Sequence, residues 1–576
     1  MATRLEILRM LAEMAKLTSI EEGSPQAFRV RAYENALHGI EGHSGELDGL
    51  DKAGLTAIKG IGASTADKIL EFQATGSVAK LDALREKYPP AFVELTKIPG
   101  LGPKTLKLIR SELGVENIDD LRAAIAAEQL RELPGMGKTS EEKIAKAIDR
   151  LGLHGKDRRT PLIEALPLAR SLAARISELA SVEAAVPSGS IRRFSETIGD
   201  VDIVVATTSP GAVSKFVLGL PEVAEVIGSG DAKTSFLTRE GMQIDVRTVK
   251  PGQLGSALLY FTGSKAHNIA LRQRAIERGW LLSEYGLFEE EKVVASKTEE
   301  DIYKALGMSF VPPPLRESTG EVELAAEGNL PDLIQLDQIK GDLHYHTDQS
   351  GDGRSSLEEM VDAAVGRGYE YVAITDHGED LAINGSTREE MLAHRDRIRR
   401  LEQEKGIRLL FGCELNIGPR GELDYDPGFR LEFDYCVASI HSHFDLPQDD
   451  QTARVLTALA DPAVNAIGHL SGRYIGRRPG VELDIDVVLE ALEVTGVALE
   501  INGALDRLDA TAEVARRAMG VGVGVVIDTD SHHTSEWVRM GYGVAHAQRG
   551  WVTNDRVVNA RPLADFMEWV AGRRDR

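Results

Sequence analysis

From residue 339 onward, short apolar runs alternate with amphipathic stretches. Seven such runs stand out: Ile339–His346, Tyr371–His377, Leu409–Glu414, Tyr435–His441, Asn465–Leu470, Val497–Asn502 and Val525–His532. Each is short enough for a buried strand and carries a His, Asp or Glu at or beside its C-terminal end. The stretches between them, such as Ser355–Arg367, Asp486–Thr495 and Thr511–Met519, repeat apolar positions at helical spacing. Strands alternating with helices predict a parallel sheet. Metal-capable side chains at the C-terminal ends of the strands predict a (β/α) barrel with its site on that rim.

Earlier in the chain the period changes to two. In GDVDIVV, Asp200 and Asp202 share one face of a predicted strand while Val201 and Ile203 point into a core. The run Met242–Val249 alternates likewise and is expected to turn Asp245 outward. Three carboxylates on adjacent strands can hold two Mg²⁺ ions that take further ligands from substrate phosphates. Such a pair activates a 3′-hydroxyl and stabilises a leaving pyrophosphate. Gly189 and Ser190 precede the first strand, and Ser190 with Arg193 offers a hydroxyl and a guanidinium to a triphosphate.

The N-terminal third repeats a third pattern. Ile58–Ile69, Ile98–Ile109 and Leu133–Ile144 each read apolar-x-Gly-apolar-Gly followed by a helix. The pairs Gly60/Gly62, Gly100/Gly102 and Gly135/Gly137 permit a tight turn between short helices. The turn and the next helix N-terminus present free N–H groups to an anion, which holds phosphates without reading bases. Three copies point to DNA-backbone binding.

Composition adds limits. A chain of 576 residues should hold three or four domains. No apolar run reaches membrane-spanning length, and the N-terminus is a charged amphipathic helix rather than a signal peptide. Two cysteines, Cys413 and Cys436, fall in predicted buried strands, as expected of a reduced, cytoplasmic protein. The net charge of −23 is uneven: residues 1–320 carry 41 basic and 44 acidic residues, leaving 26 and 46 of the 67 and 90 for the rest. The excess negative charge belongs to the barrel, and the near-neutral N-terminal half neither supports nor excludes a nucleic-acid partner.

The barrel's candidate ligands number nine. His344 and His346 sit at i and i+2 on one strand end, and Asp352 follows in a Gly-rich loop. His377, Glu414, His441, His469, Asp530 and His532 complete the set. Mixed imidazole and carboxylate ligands suit Mn, Fe or Zn. Nine ligands are too many for one ion, so two or three are inferred, the apparatus of phosphoester hydrolysis.

DLHYHT, TDH, GCE, ASIH, GHLSGR and DTDSH, in this order, resemble the PHP (polymerase and histidinol phosphatase) domain. That resemblance implies a distorted (β/α)7 barrel with a trinuclear site. The loop DQSGDG is one residue longer than the common form, and Leu470 stands where the family usually has Pro. Gly-Ser, the Asp-x-Asp pair and the later Asp resemble the nucleotidyltransferase palm of family X DNA polymerases. YFTGSKAHNIALR (Tyr260–Arg272) resembles that family's nucleotide-binding segment. The match implies that Tyr260 and Phe261 flank the incoming sugar, that Gly263 belongs to the site, that Asn268 reaches the base and that Arg272 touches the template side. Lys265 and Gln243 depart from the family's acidic residue and Arg. Gly60–Gly76 resembles the family's lyase domain, which implies Lys68 as a Schiff-base nucleophile and Tyr33 as a pocket residue, with Ser64 and Arg29 in place of two lysines. A phosphate contact is the alternative role of Lys68.

Across the whole chain the sequence is similar to bacterial and archaeal family X polymerases with a fused PHP domain. The expected fold is multidomain: a helical helix-hairpin-helix N-terminal region, an α+β palm and the barrel. The expected boundaries are 1–85 lyase-like, 86–155 helical DNA-binding, 156–250 palm, 251–316 thumb-like, 317–338 linker and 339–576 barrel. The resemblance implies a monomeric, gap-filling repair polymerase using gapped or nicked DNA and dNTPs, with Mg²⁺ or Mn²⁺ in the palm. It implies a 3′–5′ exonuclease in the barrel with Mn²⁺ and/or Zn²⁺, and it admits 3′-phosphatase, abasic-site endonuclease and lyase activities. A DNA-end-binding, template-independent transferase and a small-molecule phosphatase are the rival readings.

Overall fold

The computed structural model describes residues 4–41, 47, 49–89, 92–93, 95–98, 100–145, 159–381 and 384–574. The chain divides into two compact units, residues 1–158 with 239–242, and residues 159–238 with 243–576. No helix among the described residues is long and apolar enough to cross a membrane.

The first unit is helical in its described residues. Helices Arg4–Glu22, Phe28–Glu41, Ala63–Thr75, Ala79–Lys87 and Pro103–Leu113 share one core that buries Leu11, Met14, Ala36, Ile69, Leu106 and Ile109. The three Gly-rich turns have one geometry. Gly60, Gly100 and Gly135 take φ of 98°, 93° and 80°, a region that favours glycine. The same hydrogen bond closes each turn: Ile61 N–H to Ile58 O at 3.1 Å, Leu101 to Ile98 at 3.0 Å and Met136 to Leu133 at 3.0 Å.

The second glycine of each pair was expected to serve the turn as well, and here the structure differs. Gly62, Gly102 and Gly137 lie outside the left-handed region, and a Cβ on any of them would meet nothing within 4 Å. The turn therefore requires glycine only at Gly60, Gly100 and Gly135. Gly62 and Gly102 instead cap the next helices in extended conformation without a side-chain cap. Gly137 holds the same place in the third copy. Its carbonyl accepts from the Ser140 and Glu141 N–H groups at 2.9 and 3.0 Å, the first bonds of the helical run from residue 138. This arrangement leaves the first N–H groups of those helices to an outside acceptor. Pro99 and the last part of the expected 86–155 domain, residues 146–155, lie outside the described residues.

The second unit begins with a five-stranded sheet in the order Val182–Pro187, Asp200–Thr207, Gln243–Val249, Lys233–Leu237 and Glu225–Ser229. Val201, Ile203, Val204 and Val205 are fully buried, as the alternation predicts for the first two. Helices Leu254–Thr262 and Lys265–Glu277 follow, then a three-stranded antiparallel sheet, Trp280–Ser283, Gly286–Glu289 and Lys292–Ala295. A buried ion triad fastens this region to the palm. Glu299 accepts from Arg192 at 2.9 and 2.5 Å and from Arg316 at 2.6 Å.

Residues 317–338, expected as a linker, are packed. They form the helix Glu321–Glu327, whose Val322 and Ala325 join the thumb-like core, while Ile334 enters the barrel core. Glu321 is fully buried, 2.7 Å from Nδ1 of His267, and accepts from the Ser318 and Thr319 backbone. The few apolar residues among many acidic ones therefore do core work.

Seven parallel strands then run in sequence order: Gly341–Asp342, Tyr371–Ile374, Arg408–Asn416, Tyr435–Ser439, Ala466–Ile467, Ala498–Asn502 and Val525–Asp528. The first and last close on each other. Tyr345 and Ser531 form a parallel bridge, and the Leu343 N–H donates to Asp528 at 2.8 Å. Leu343, Ala373, Leu410, Val437, Ala466, Ala498 and Val526 share an inner core with Phe566 and Val570 of the C-terminal helix Leu563–Arg574. The helices Leu357–Gly366, Ile485–Thr495 and Ala512–Val521 match the predicted amphipathic stretches within two residues. Cys413 and Cys436 are buried, free and paired in register on neighbouring strands.

Candidate functional site

All nine predicted barrel ligands converge on one rim. Three groups lie close enough to share an ion: His346, Asp352, His377 and His532; His344, His346 and Asp530; His377, Glu414 and His441. Glu414 is the hub. Its carboxylate lies 3.4 Å from His344 Nε2, 3.5 Å from His346 Nε2, 2.9 Å from His377 Nδ1, 3.2 Å from His441 Nε2 and 3.0 Å from His469 Nε2. Asp352 sits 3.4 Å from His377 and 3.5 Å from His532, so its longer loop still delivers it.

The chemistry of this set fits divalent cations. Nε2 of His344, Nε2 of His346, Oδ1 of Asp352 and Oε1 of Glu414 are buried and lack hydrogen-bond partners. Buried polar atoms without partners are costly, and a shared cation removes that cost. Burial opposes ionisation of Glu414, yet His441, His344 and His377 hold its carboxyl well below the usual range. Burial, then the neighbouring His532 and His377, lowers His346 to about 4.

Sequence reasoning missed the supporting layer. Glu500 Oε1 lies 2.5 Å from His344 Nδ1, and the same carboxylate accepts from the His469 N–H. A carboxylate behind a ligating His fixes its ring and tautomer. Asp376 plays a related part: it accepts from Thr347 and Ser350 and lies 3.1 Å from His394. Arg507 lies 3.4 Å from Asp530. Glu500 stands in a run whose pattern was visible, but no local feature marked Arg507.

The palm forms a second centre. Asp202 and Asp245 stand in register on parallel neighbouring strands, with Asp200 two residues before Asp202. Asp245 was expected to face outward; it is buried, because Lys233 of the adjacent strand and Arg247 lie over its carboxylate. Lys233 Nζ lies 2.6 Å from its carboxylate, Arg247 3.5 Å, and Gln243 donates at 3.1 Å. Burial, reinforced by Asp200 and Asp245, raises Asp202 to about 7. Divalent cations would offset that crowding of negative charge. Gly189 has φ of 63°, and a Cβ there would meet Asp202 at 2.9 Å. Ser190 follows it on the short helix Gly189–Arg192.

The nucleotide-segment residues lie near one another. Tyr260 and Phe261 contact edge to face at 5.1 Å, and the Arg247 guanidinium covers Phe261 at 4.7 Å. Arg272 lies 5.9 Å from the Tyr260 ring, and Asn268 donates to the Tyr260 carbonyl at 2.7 Å. Arg193 is engaged: its Nε donates to Glu317 at 3.0 Å and its Nη1 to the Thr262 carbonyl at 2.5 Å, beside Gly263. A triphosphate would have to draw it from those acceptors.

In the first unit, Lys68 Nζ donates to Ser64 Oγ at 2.9 Å and lies 5.8 Å from the Tyr33 ring. Burial lowers its pKa. Arg29 pairs with Glu22 at 2.5 Å. Around Gly62, Gly102 and Gly137 the space in front of the following helix N-termini is open.

Four models of known families match parts of the chain. Residues 3–78 match a helix-hairpin-helix domain model, 92–150 a SAM-like helix-hairpin-helix tandem, 257–317 the DNA polymerase beta thumb and 342–504 the PHP domain. The chain is 38% identical over 566 residues to the DNA polymerase/3′-5′ exonuclease PolX of Bacillus subtilis, covering 97% of this chain and 98% of that protein. This chain belongs to the family X DNA polymerases that carry a PHP domain. Its barrel alone is also similar to shorter proteins. A probable phosphatase of Thermoanaerobacter is 28% identical over 38% of this chain and 89% of its own length. One of Acetivibrio thermocellus is 32% identical over 34% and 80%. As a family X polymerase with helix-hairpin-helix and thumb regions the chain binds DNA and uses dNTPs, and its polymerase and PHP domains are metal-dependent.

Proposed function

We propose that this protein is a DNA-directed DNA polymerase that fills short gaps during repair and trims 3′ ends with its barrel. The observation that carries the reading is the register of Asp202 against Asp245, with Asp200 beside them and Gly189 pressed on Asp202. Asp200, Asp202 and Asp245 would hold two Mg²⁺ or Mn²⁺ ions, which supply activation of the primer 3′-hydroxyl and charge stabilisation at the leaving pyrophosphate. Ser190 and Arg193 would bind the triphosphate tail, and Tyr260 would crowd a 2′-hydroxyl. Asn268 would meet the base edge and Arg272 the template side. The three Gly turns would grip the DNA backbone through the unpaired N–H groups that follow Gly62, Gly102 and Gly137.

His344, His346, Asp352, His377, Glu414, His441, His469, Asp530 and His532 would hold two or three Mn²⁺ or Zn²⁺ ions, which supply an activated water for phosphodiester hydrolysis. Glu500 would keep His344 in a fixed tautomer. The barrel's likeness to probable phosphatases supports removal of a 3′-phosphate at the same site. The protein would act as a monomer in the cytoplasm, where two free buried cysteines stay reduced.

The test is a labelled primer on a one-nucleotide gap, with Mg²⁺ or Mn²⁺, with and without dNTPs. Templated extension with dNTPs and 3′ shortening without them are expected. Extension that ignores the template would favour the transferase reading, and failure of both reactions would refute the proposal.

A further inference from the structure

The palm's segment between Ser190 and Asp200 does more than lead into the catalytic strand. It lies against the barrel. Phe194 stacks on Tyr542 with ring centroids 6.1 Å apart, and Arg549 donates to the Arg193 carbonyl at 2.9 Å and to Glu317 at 2.7 Å. At its centre the Glu196 carboxylate takes a two-pronged ion pair from Arg473, at 2.7 and 3.0 Å.

Arg473 is tied to the barrel site. It follows His469 by four positions on the loop that this ligand begins, and that loop is closed by the Gly472 N–H on the His469 carbonyl at 2.7 Å. Its Nε donates to the Arg507 carbonyl at 2.8 Å and its Nη2 to the Leu508 carbonyl. The Arg507 side chain then reaches Asp530 at 3.4 Å and donates to the Tyr474 hydroxyl at 2.9 Å, with the Tyr474 ring 4.4 Å from its guanidinium. Both loops so held carry groups of the barrel site: His469 on one, and on the other the arginine that faces Asp530.

We infer that Glu196, a palm residue, is a positioning residue for the barrel's hydrolytic site. Its carboxylate fixes the planar guanidinium of Arg473, and Arg473 fixes the backbone from which Arg507 approaches Asp530. Without that carboxylate, the Arg473 fork loses one of its two anchors. Its hold on residues 507–508 loosens, and Asp530 loses an aligned partner. Outer-layer partners of metal ligands act through such alignment. A planar guanidinium held on two sides transmits position better than a lysine would. The inference rests on the reading of the barrel as a metal-dependent hydrolase. It adds that the polymerase half is part of that hydrolase's scaffold.

The test uses the full chain carrying Asp200→Ala and Asp202→Ala, so that the barrel's ions alone are counted. Mn²⁺ titration of this protein is compared with the same protein bearing Glu196→Gln, alongside 3′ shortening of a single-stranded oligonucleotide. The Gln variant should bind Mn²⁺ about tenfold more weakly, with a matching fall in kcat and a smaller change in KM. Glu196→Asp, which keeps the charge, should recover part of the affinity. A role confined to docking would lower the melting temperature and leave Mn²⁺ affinity untouched. Affinity and kcat within about twofold of the parent, a free-energy change of about 0.4 kcal/mol, would overturn the inference, whatever the melting temperature does. Absence of 3′ shortening in the parent would instead count against the hydrolase reading, while the Mn²⁺ titration still decides the role of Glu196.

Discussion

Lys233 Nζ lies 2.6 Å from Oδ2 of Asp245, the carboxylate that stands in register with Asp202 across two parallel strands. The lysine offsets one of three crowded negative charges, in a pocket where burial has already raised Asp202 to about 7. Lys233→Met should therefore destabilise the metal-free protein by about 1–2 kcal/mol, less than a fully buried pair because the lysine is about one-third exposed. Mg²⁺ should reduce the loss, since a divalent ion replaces the missing charge. Urea unfolding in EDTA and in Mg²⁺ reads both effects. Equal midpoints for variant and wild type in EDTA would contradict this role.

The Arg192–Glu299–Arg316 triad makes a prediction about stability alone. Arg316 is fully buried and Glu299 nearly so. Removing the carboxylate leaves two guanidiniums facing each other without an anion. Glu299→Ala should cost about 3–5 kcal/mol, the range for breaking a buried pair on one side. Chemical denaturation of the full chain measures it, and a loss below about 1 kcal/mol would place the triad among ordinary surface pairs.

Lys68 tests the first unit. A Schiff-base role would need its neutral amine, and burial favours that form, so deprotonation begins at a lower pH than for an ordinary lysine, about 10.4. Borohydride trapping on a 5′-deoxyribose-phosphate end should rise with pH and reach half its maximum below that value. Lys68→Ala should abolish the adduct. Trapping that survives the substitution would leave Lys68 as a phosphate contact. Its removal would then lower the salt dependence of DNA binding by about one phosphate's worth.

Much of this architecture was legible in the sequence because it is local. Strand-end His and Asp residues, the i, i+2 pair His344 and His346, and three copies of one Gly turn are all written in short windows. Within those turns the sequence does not separate the two glycines: a Gly that must take positive φ, such as Gly135, and one that leaves open space, such as Gly137, look alike until the backbone is folded. The burial of Asp245 was not legible either. Alternation along Gln243–Val249 reports a face, and only the folded sheet shows that Lys233 and Arg247 cover the carboxylate on that face. Lys233 comes from the antiparallel strand beside it, and no spacing rule links the two residues. Arg473 and Glu196 are 277 positions apart, so their pairing exists only once palm and barrel are packed together. Glu500 was within reach: it alternates inward on a run already recognised as a strand, behind the ligand His344.

The central claim is that two separate metal centres run two reactions in one chain. It is tested most directly by extension and 3′ shortening measured on the same gapped substrate, for Asp200→Ala/Asp202→Ala and for His344→Ala/His346→Ala. The first pair should lose extension and keep shortening. The second should lose shortening, bind fewer ions and keep extension. Both activities falling together in either variant, with folding intact by circular dichroism, would contradict the account.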